Sequence, residues 1–543
     1  MTQRIAYECP GGAPFPVVWP DADLSRDEWR WDQVHNPTPL TPLSQDLISL
    51  KRRGMYRGGE TTGRPFNEER MYSNGYGFSR SLKGDPADAK HFRAIAERDS
   101  AVRIDRLLQL WESSYRPESE ALTRSIRTWA SPGDSLPYLL QRLDEVEAAW
   151  QRLGELHTLS TGLAGIAMRD FEAFCRDEFG DDGPRIAVES ITGMPNKSVE
   201  SAEALWELSR EIAGHSAVAD LLRARTPEQF FSDLDSVKDG PEIRLLLARF
   251  MDVWGQRNES YYEIAYPTWR EEPGFVLSAL RAYLDAPDEN SPAVLHMRAE
   301  ANRVARTDEA RKRLSSPGKI NEFLTGQRRA QQHTILMEDH NFYIDQRGYS
   351  TLRIPFLAIG ERLMAGRAVD NASDVFYLHL EEIKGHAGHP DRTYEALVSE
   401  RRASRESWMH VLPPPVIGGD APRAGATPAS DDGLRSPNSI QGLAASAGRV
   451  AGPARLILSL EDAHRLSPGD VLVTYATAPP WTPLFAIAAA VVTDAGGPLA
   501  HCAVVAREYG IPAVVGTKSA TARIADGMLI TVDGTTGVVE IRP

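Results

Sequence analysis

The residues with the clearest chemical potential lie in one stretch near the C-terminus, TDAGGPLAHCAVVAREYGIPAVVG, at positions 493–516. The pattern predicts a glycine turn at Gly496 and Gly497, followed by a helix over about residues 499–508. His501 would then lie in the first helical turn, where free backbone N–H groups and the helix dipole favour an anion. A neutral imidazole is also a good nucleophile near pH 7. The stretch therefore allows a covalent phosphoryl carrier at His501.

The residues alone leave two interpretations of this histidine open. In the first, Gly496 and Gly497 let the backbone approach a phosphoryl group without obstruction by a Cβ atom, and Thr493 lies close enough to contribute a hydroxyl. In the second, His501 is an ordinary surface histidine near the start of a helix. One histidine and two glycines do not decide between these interpretations.

The longer string favours the first interpretation, because it closely resembles the swivelling phosphohistidine domain of the phosphoenolpyruvate-utilising enzymes. With SPGDVLVTYATAPPWTPLF before it and DGMLITVDGTTGVVEI after it, the resemblance covers about residues 440–541. It implies that His501 is the residue that becomes phosphorylated. One departure is Ala500, where that family usually has a serine or threonine, and Thr493 could replace the missing hydroxyl.

The region before this domain is organised around helices. Residues from about 90 to 410 carry apolar side chains at helical spacing, as in SLPYLLQRLDEVEAAWQRLGELH, for which Ser135 is the predicted N-cap. Further helices are predicted over residues 320–343 and 351–364. The first 85 residues are rich in Pro, Gly, Trp and Tyr and are expected to form loops and short strands.

The composition changes after residue 411. Residues 412–442 are dense in Pro, Gly, Ala and Ser and have the composition of a flexible linker. Beyond them, β-branched runs predict strands at residues 454–458, 470–474, 488–493, 513–516, 529–533 and 538–541. The sequence therefore predicts a multidomain protein. A large, mainly α-helical acceptor body spans residues 1–411, and a C-terminal β/β/α swivelling phosphohistidine domain spans residues 443–543.

Composition limits the classes of function. The net charge of −14 argues against a general nucleic-acid binder. The three cysteines have no metal-binding spacing, and so sparse a count is typical of a reducing compartment. The sequence shows neither an apolar signal core near residue 1 nor a run of about 18 apolar residues. We therefore expect a cytoplasmic protein that binds neither nucleic acid nor membrane.

The resemblance also implies modules that are not visible in this sequence. A dikinase of this family needs an ATP-grasp domain, yet residues 1–410 lack its α/β alternation and any GxxxxGK[ST] or GxGxxG loop. An enolpyruvate site needs a (β/α)₈ barrel, which normally follows the swivelling domain. We therefore expect a separate ATP-grasp subunit to charge His501, with ATP and Mg²⁺ bound mainly in that partner, as in phenylphosphate synthase-like systems.

Three segments resemble the acceptor part of phenylphosphate synthase and rifampicin phosphotransferase. They are NPTPLTPLSQDL, MEDHNFYIDQRGYSTLR and ASDVFYLHLEEI, at residues 36–47, 337–353 and 372–383. A hydroxyl acceptor loses its proton during phosphoryl transfer, and an arginine can neutralise the oxygens of the transferred group. The candidates for acceptor-side catalysis are His340, Glu338 or Asp339 as general base, Arg353 as the cation, and His35 beside the first segment.

Helical spacing across the second segment places His333, Met337 and His340 on one face and Glu338 and Asp345 on another. A solvated charged face is the plain alternative. The two histidines lie seven residues apart without a third ligand, so no metal site is predicted. A phenolic acceptor requires an apolar, aromatic pocket with few polar groups. The candidate substrate-binding residues are Asp339, Asp345, Phe342 and Tyr343.

These observations predict the phosphohistidine and acceptor subunit of a two-component, ATP-dependent aryl-phosphate synthase. Its partner would phosphorylate His501, releasing AMP and phosphate, and the phosphoryl group would pass to a small phenolic hydroxyl. Two alternatives stay open. The same mechanism could act on another hydroxyl compound, such as an antibiotic, or the chain could be a regulatory phosphocarrier whose helical part only binds a partner.

Overall fold

The computed structural model of the protein divides into two compact units. The first comprises Met1–Leu163, Ser260–Tyr266 and Tyr343–Arg435, and the second comprises Ala164–Glu259, Pro267–Phe342 and Ser436–Pro543. The structure describes residues 5–6, 15–17, 19–63, 65, 67–82, 84–98, 100–260, 262–409, 411–419, 438–497 and 500–542. Residues 420–437, which form most of the predicted linker, lie outside the described residues. The predicted domain boundaries at 411 and 443 stay a prediction.

Helices make up most of the first unit. The 44-residue helix Leu136–Phe179 begins in this unit and continues into the second after Leu163. A π-helical turn, Trp111–Tyr115, joins two shorter helices, and another, Asn341–Gln346, precedes a long helix. The other helices described in the first unit are Pro42–Thr62, Pro86–Glu97, Ser100–Asp105, Leu107–Leu110, Arg116–Arg127, Arg347–Ala365, Leu380–Gly385 and Glu395–Trp408.

Two small sheets complete the first unit. Four antiparallel strands follow the order Glu68–Ser73, Tyr76–Ser81, Trp29–Trp31 and Val416–Ile417. A short parallel pair joins Ile5–Ala6 to Val411–Leu412. The short strands expected in the first 85 residues are therefore present.

The prediction that these 85 residues contain only loops and short strands is wrong for Pro42–Thr62, a 21-residue helix. Pro42 occupies its first turn, and Gly63 ends it in the left-handed conformation (φ 75°). Gly54 and Gly58 inside the segment suggest a helix breaker, but both lie against the backbone of Leu136–Phe179. A Cβ atom at Gly54 would overlap the carbonyl oxygen of Gln151. The glycines therefore permit close contact between two helices.

The second unit begins with helices that continue the predicted pattern, so the expectation of successive helices from about residue 90 to 410 is confirmed. Helix Pro317–His340 covers most of the predicted segment 320–343, and Arg347–Ala365 in the first unit covers the predicted 351–364. The other helices before residue 342 are Gly183–Glu189, Lys197–Gly214, Ser216–Ala224, Pro227–Asp233, Gly240–Trp254, Gly274–Leu284 and Pro292–Arg313.

The C-terminal part of the second unit is an eight-stranded mixed sheet. The strands Arg449–Leu456, Val471–Thr474, Ala490–Thr493 and Ala513–Val515 run parallel to one another. Antiparallel strands extend this set on both sides. At one edge, Leu443–Ser446 pairs with Ala513–Val515. On the other side, Arg449–Leu456 is followed in order by Leu529–Asp533, Val538–Ile541 and Ser439–Gln441. Its helices are Thr482–Phe485, His501–Tyr509 and Ala520–Arg523. Together they confirm the predicted C-terminal β/α region.

All six strands predicted after the linker are present, two with the predicted bounds and four with ends that shift by up to five residues. Two strands were missed. Ser439–Gln441 falls inside the predicted linker, and Leu443–Ser446 (LAAS) contains no β-branched residue to indicate a strand. Both form the edges of the sheet, where pairing with one neighbour stabilises a strand of weak propensity. No helix in the described ranges is long and apolar enough to cross a membrane.

The close contact between Pro42–Thr62 and Leu136–Phe179 gives the first prediction. Alanine favours a helix over glycine by about 1 kcal/mol, yet Gly54→Ala should destabilise the protein by about 1–3 kcal/mol because the added methyl group forces the two helix backbones apart. Urea unfolding measures the change. Gly214→Ala, at a helical glycine with no atom within 4 Å of a Cβ, is the control and should be neutral or stabilising by up to about 1 kcal/mol. Equal stability of both variants would show that the helices can separate freely.

Candidate functional site

The segment between strand Ala490–Thr493 and His501, here called the histidine loop, has the predicted local structure in its described residues, 494–497 and 500. The strand Ala490–Thr493 leads into the glycine turn, and the helix His501–Tyr509 begins at the histidine itself. Gly496 has a φ of 113°, which favours glycine, and a Cβ atom at Gly497 would meet nothing within 4 Å. Ala500 is the N-cap and provides no side-chain hydrogen bond, as expected from its methyl side chain. The free N–H groups of the first turn therefore lie beside the His501 ring.

Both ring nitrogens of His501 face polar side chains within the second unit. Nδ1 lies 3.4 Å from Oε1 of Glu338, and Nε2 lies 3.3 Å from Oγ1 of Thr482. The ring edge of Phe485 is also close, with centroids 6.4 Å apart. The His501 side chain is only 4% exposed. The histidine is therefore buried in a polar pocket, which contradicts its interpretation as an ordinary surface residue.

Glu338 is also buried and is held from a second side. Its other carboxylate oxygen, Oε2, accepts a hydrogen bond from the Ser198 hydroxyl on helix Lys197–Gly214. Burial acts to raise the pKa of Glu338, but the charge and hydrogen bonding of His501, the hydroxyl of Ser198 and the charge of His340 outweigh it, so the pKa lies below its usual value. An ionised Glu338 can only accept hydrogen bonds. Nδ1 of His501 therefore faces it as an N–H group.

Ionisation of Glu338 leaves Nε2 as the nitrogen with the free lone pair in a neutral His501 ring. Thr482, whose hydroxyl also lies 2.7 Å from the carbonyl oxygen of Pro479, is the group next to that nitrogen. The arrangement can hold one tautomer and present Nε2 for bond formation. Thr493, the predicted phosphate ligand, instead directs its hydroxyl to the carbonyl oxygen of Ala495 at 2.8 Å. Its phosphate role stays a prediction.

The remaining candidates in the second unit, Asp339, His340 and Phe342, are buried. Nδ1 of His340 lies 2.6 Å from the carbonyl oxygen of Leu336, one turn earlier in its helix. Phe342 packs against Trp254 (centroids 5.1 Å apart) and against the guanidinium of Arg257 (5.3 Å). Because Glu338, Asp339 and His340 are all buried, the alternative of a solvated charged face is wrong.

The candidates His35, Tyr343, Asp345 and Arg353 belong to the first unit. His35 lies 2.9 Å from Asp32, and Asp345 lies 2.5 Å from Nζ of Lys51. The ring of Tyr343 packs against Trp111, at 6.0 Å, while Arg353 is buried and donates a hydrogen bond to the carbonyl oxygen of Ile264. The catalytic and substrate-binding roles assigned to these four residues stay predictions.

The prediction that Glu338 and Asp345 share a helix face is wrong, whereas His333, Met337 and His340 lie within one regular helix at the spacing of a shared face. The helix Pro317–His340 is followed by π-helical turns at Asn341–Gln346, which change the angular spacing of later residues. Glu338 contacts Ser198 and His501, whereas Asp345 contacts Lys51 and His157. Within the regular helix, His340 is 2% exposed but Met337 is 37% exposed.

Sequence reasoning missed Ser198 and Thr482. Ser198 lies 140 residues from Glu338 in the chain and carries no motif. Thr482 lies inside the quoted string ATAPPWTPLF, so its position in the resemblance was visible but its contact with His501 was not. The contact forms because the turn after strand Val471–Thr474 and the histidine loop lie at the same end of two adjacent parallel strands.

Further polar contacts join the sheet to the helices of the second unit. The Glu508 carboxylate accepts hydrogen bonds from the N–H of Gly193 at 2.8 and 3.0 Å and lies 3.5 Å from Nδ1 of His296. The hydroxyl of Tyr283 donates to the carbonyl oxygen of Pro483 at 2.9 Å. Burial raises the pKa of Glu508, although His296 and the Gly193 N–H oppose the shift. These contacts lie on the helix that begins at His501 and beside Thr482.

Two domain families match this chain. Residues 466–537 match the mobile domain of PEP-utilising enzymes, and residues 157–334 match the fourth domain of rifampicin phosphotransferase. The first match contains His501, and the second contains Ser198. The resemblance of the histidine region to the swivelling domain is therefore confirmed at the level of the domain family.

Similar proteins point to the same class. The chain is 33% identical to a chondramide synthase of Chondromyces crocatus, with 97% of this chain and 14% of that protein aligned. It is 30% identical to an uncharacterised phosphotransferase of Bacillus subtilis (68% and 45% aligned) and 31% identical to a rifampicin phosphotransferase of Streptomyces sviceus (66% and 42%). The chain spans less than half the length of each of these relatives. Two of these three relatives are named as phosphotransferases.

The burial of His501 gives the second prediction. Glu338→Gln removes the negative charge that holds Nδ1–H, so the ring should leave its pocket more often and react about tenfold faster with diethyl pyrocarbonate. Mass spectrometry of the His501 peptide measures the rate. His464, which is exposed and lies 3.0 Å from the carbonyl oxygen of Glu461, should react equally in both proteins. An unchanged rate at His501 would mean that the carboxylate does not hold the ring.

Proposed function

We propose that this chain transfers a phosphoryl group from His501 to the hydroxyl of a small phenolic compound, giving an aryl phosphate. The observation that carries the proposal is the buried contact between His501 and Glu338. It places a nucleophilic imidazole, a carboxylate that fixes its tautomer, and the N-terminus of a nine-residue helix in one pocket. The match to the mobile domain of PEP-utilising enzymes and the similarity to a rifampicin phosphotransferase support phosphoryl transfer to a hydroxyl.

The chemistry follows from the two sides of the ring. In the first step, the lone pair of Nε2 attacks the phosphoryl donor, the N–P bond forms, and the P–O bond of the donor breaks with its electron pair on the departing oxygen. In the second step, the acceptor oxygen forms the O–P bond, and the electron pair of the N–P bond returns to Nε2. Because Glu338 keeps a proton on Nδ1, the ring departs as neutral imidazole and not as an imidazolate anion. Thr482 lies next to Nε2, and its hydroxyl can donate to a phosphoryl oxygen once it releases the carbonyl oxygen of Pro479, to which it donates at 2.7 Å.

We further propose that ATP supplies the phosphoryl group in a separate ATP-grasp subunit, with Mg²⁺ bound beside the nucleotide, and that AMP and phosphate are the other products. The nucleotide-binding patterns GxxxxGK[ST] and GxGxxG do not occur in the sequence, which supports a nucleotide site outside residues 1–410. The buried His501 must leave its contact with Glu338 to reach that site. A covalent carrier suits this arrangement because phosphorylation of the histidine and transfer to the acceptor occur as two separate reactions, each between two reactants.

The phenolic acceptor is supported by the three segments that resemble the acceptor part of phenylphosphate synthase. A second candidate is a larger hydroxyl compound such as an antibiotic. It is favoured by the match of residues 157–334 to the fourth domain of rifampicin phosphotransferase. Both candidates use the same histidine and the same N–P bond, and they differ only in the compound that receives the phosphoryl group.

The third prediction concerns transfer from a histidine that is phosphorylated chemically, which removes the need for ATP and a partner. Potassium phosphoramidate should label His501 with an acid-labile phosphoryl group, and 4-methylphenol should then be converted to its phosphate in a single turnover. Glu338→Gln should slow this turnover about 100-fold, because the ring loses its protonated Nδ1 as it departs. Phosphorus NMR measures both the N–P and the O–P species.

Two variants act as controls for this experiment. His501→Ala should give no aryl phosphate, and His464→Ala, at an exposed histidine of the same sheet region, should react as the unaltered chain does. Transfer to rifampicin-sized acceptors without transfer to phenols would favour the second candidate. A labelled His501 that passes its phosphoryl group to no hydroxyl compound would overturn phosphotransfer to small molecules, and full transfer by His501→Ala would overturn the mechanism.

A further inference from the structure

A second group of buried titratable side chains lies entirely within the first unit. The ammonium of Lys51 lies 2.5 Å from Oδ1 of Asp345, and Nδ1 of His157 lies 3.1 Å from the same oxygen. The Lys51 and Asp345 side chains are 3% and 9% exposed, and that of His157 is 18% exposed. A lysine, a carboxylate and an imidazole that share one oxygen form an array suited to moving a proton.

Aromatic rings enclose this group. The Lys51 ammonium lies 5.2 Å from the ring of Trp150, 5.1 Å from that of Tyr349 and 6.0 Å from that of Tyr262. Tyr262 and Tyr349 are themselves in contact, with centroids 5.4 Å apart. We call Lys51, His157 and Asp345 with these three rings the Lys51 array. Its combination of aromatic surface with a few convergent polar groups is typical of a small-molecule site.

Among the buried polar groups that lack a hydrogen-bond partner in the described residues, two lie in the first unit near these aromatic rings. They are the hydroxyl of Tyr349, whose residue is 2% exposed, and Nε and Nη2 of Arg70. An unpaired buried polar group is costly, and folded proteins rarely leave one without water or a ligand. Burial raises the pKa of Tyr349 far above its usual value, with Tyr262 and Asp345 adding to the shift, so its hydroxyl stays protonated and can donate. The Lys51 array therefore offers a donor to a bound molecule.

The charged groups in and around the array occur as pairs. Lys51 and Asp345 balance each other, and Arg70 is paired with Asp32 at 3.0 Å. His35 stacks on Tyr262 at 5.4 Å and adds a further titratable group. Desolvation acts to lower the pKa of His35, but the Asp32 carboxylate outweighs it and raises the pKa. The His35 side chain is 46% exposed, so the group reaches from solvent to the buried lysine.

We propose that the Lys51 array binds the aromatic hydroxyl compound, with its ring against Tyr262 and Tyr349 and its oxygen next to Lys51 and His157. The identity of this ligand rests on the proposed function. Tyr349 donates a hydrogen bond to the acceptor oxygen. The O–H proton passes to Nε2 of His157, and Asp345, bonded at Nδ1, stabilises the imidazolium that forms. The Lys51 ammonium stabilises the oxyanion.

The bonds formed and broken in this step balance when the phosphohistidine is the phosphoryl donor. The electron pair released from the O–H bond forms the O–P bond. The N–P bond of the phosphohistidine breaks, and its electron pair returns to the imidazole. His157 is then a further catalytic residue, because it holds the acceptor proton, while Glu338 acts on the histidine carrier. Neither step requires an oxidant, a reductant or an additional reactant.

Binding of 4-fluorophenol to the full chain, followed by fluorine NMR without ATP, tests the site. Tyr349→Phe should weaken binding about fivefold, the effect of one hydrogen bond, without loss of thermal stability, because the deleted hydroxyl has no hydrogen-bond partner among the residues that the structure describes. Tyr394→Phe is the matched control in the same unit. Its hydroxyl donates to the carbonyl oxygen of Glu382 at 3.1 Å, so this variant should lose stability and keep its affinity.

The two failures are distinguishable. Equal affinity in the unaltered chain and Tyr349→Phe, or no binding of 4-fluorophenol to the unaltered chain, would overturn the Lys51 array as the phenol site while leaving phosphorylation of His501 intact. Absence of phosphohistidine at position 501 would overturn the proposed function. Phenol binding is measured without any phosphoryl donor, so its result would still test the Lys51 array independently.

The proton-accepting role of His157 has its own test. His157→Gln should bind 4-fluorophenol within twofold of the unaltered chain, yet transfer to 4-methylphenol should fall about 100-fold. With 4-nitrophenol at pH 8, where the acceptor is already ionised, the variant and the unaltered chain should transfer at similar rates. A merely structural role would slow both acceptors equally, and that result would overturn the assignment.

Discussion

A carboxylate held against one nitrogen of an imidazole is the interaction on which the chemistry of the second unit depends. Glu338 and His501 are both buried, and a buried ionised carboxylate is tolerated only with compensating hydrogen bonds. Ser198 fills one oxygen and His501 the other. The sheet that carries the histidine thereby completes the solvation of a group in the helical part, so their docking and the state of the ring are physically linked.

The same contact has opposite consequences before and after transfer. A phosphoryl group brings close to two negative charges to the ring, which an ionised Glu338 repels unless Nδ1 keeps its proton. That proton also weakens the N–P bond, since the departing imidazole is then neutral. Once the phosphoryl group is gone, repulsion disappears and the pair of Glu338 and His501 is at its most stable. In the proposed reaction, the arrangement therefore favours transfer to the acceptor and resists the return of the phosphoryl group to the ring.

The sequence was sufficient to predict those features of the site and its surroundings that depend on residues close together in the chain. The glycine turn, the helix start at His501 and the six strands around it follow from residue types a few positions apart. It could not predict the side chains that reach Glu338 and His501 only through the tertiary fold. Ser198 and Thr482 are such residues, because no local sequence pattern marks their contacts. The π-helical turns after His340 are a local feature that periodicity also misses, because a regular helix was assumed through Asp345.

The helix Pro42–Thr62 shows how glycines that disfavour a helix can help to position the side chains of the Lys51 array. Gly54 and Gly154 lie where two helices nearly touch, and a Cβ atom at Gly154 would overlap the carbonyl oxygen of Lys51. Lys51 precedes Gly54 by three residues, and His157 follows Gly154 by three, so each side chain lies about one turn from the contact. The small residues that argue against a helix are thus the ones that bring a lysine and a histidine to the carboxylate oxygen of Asp345.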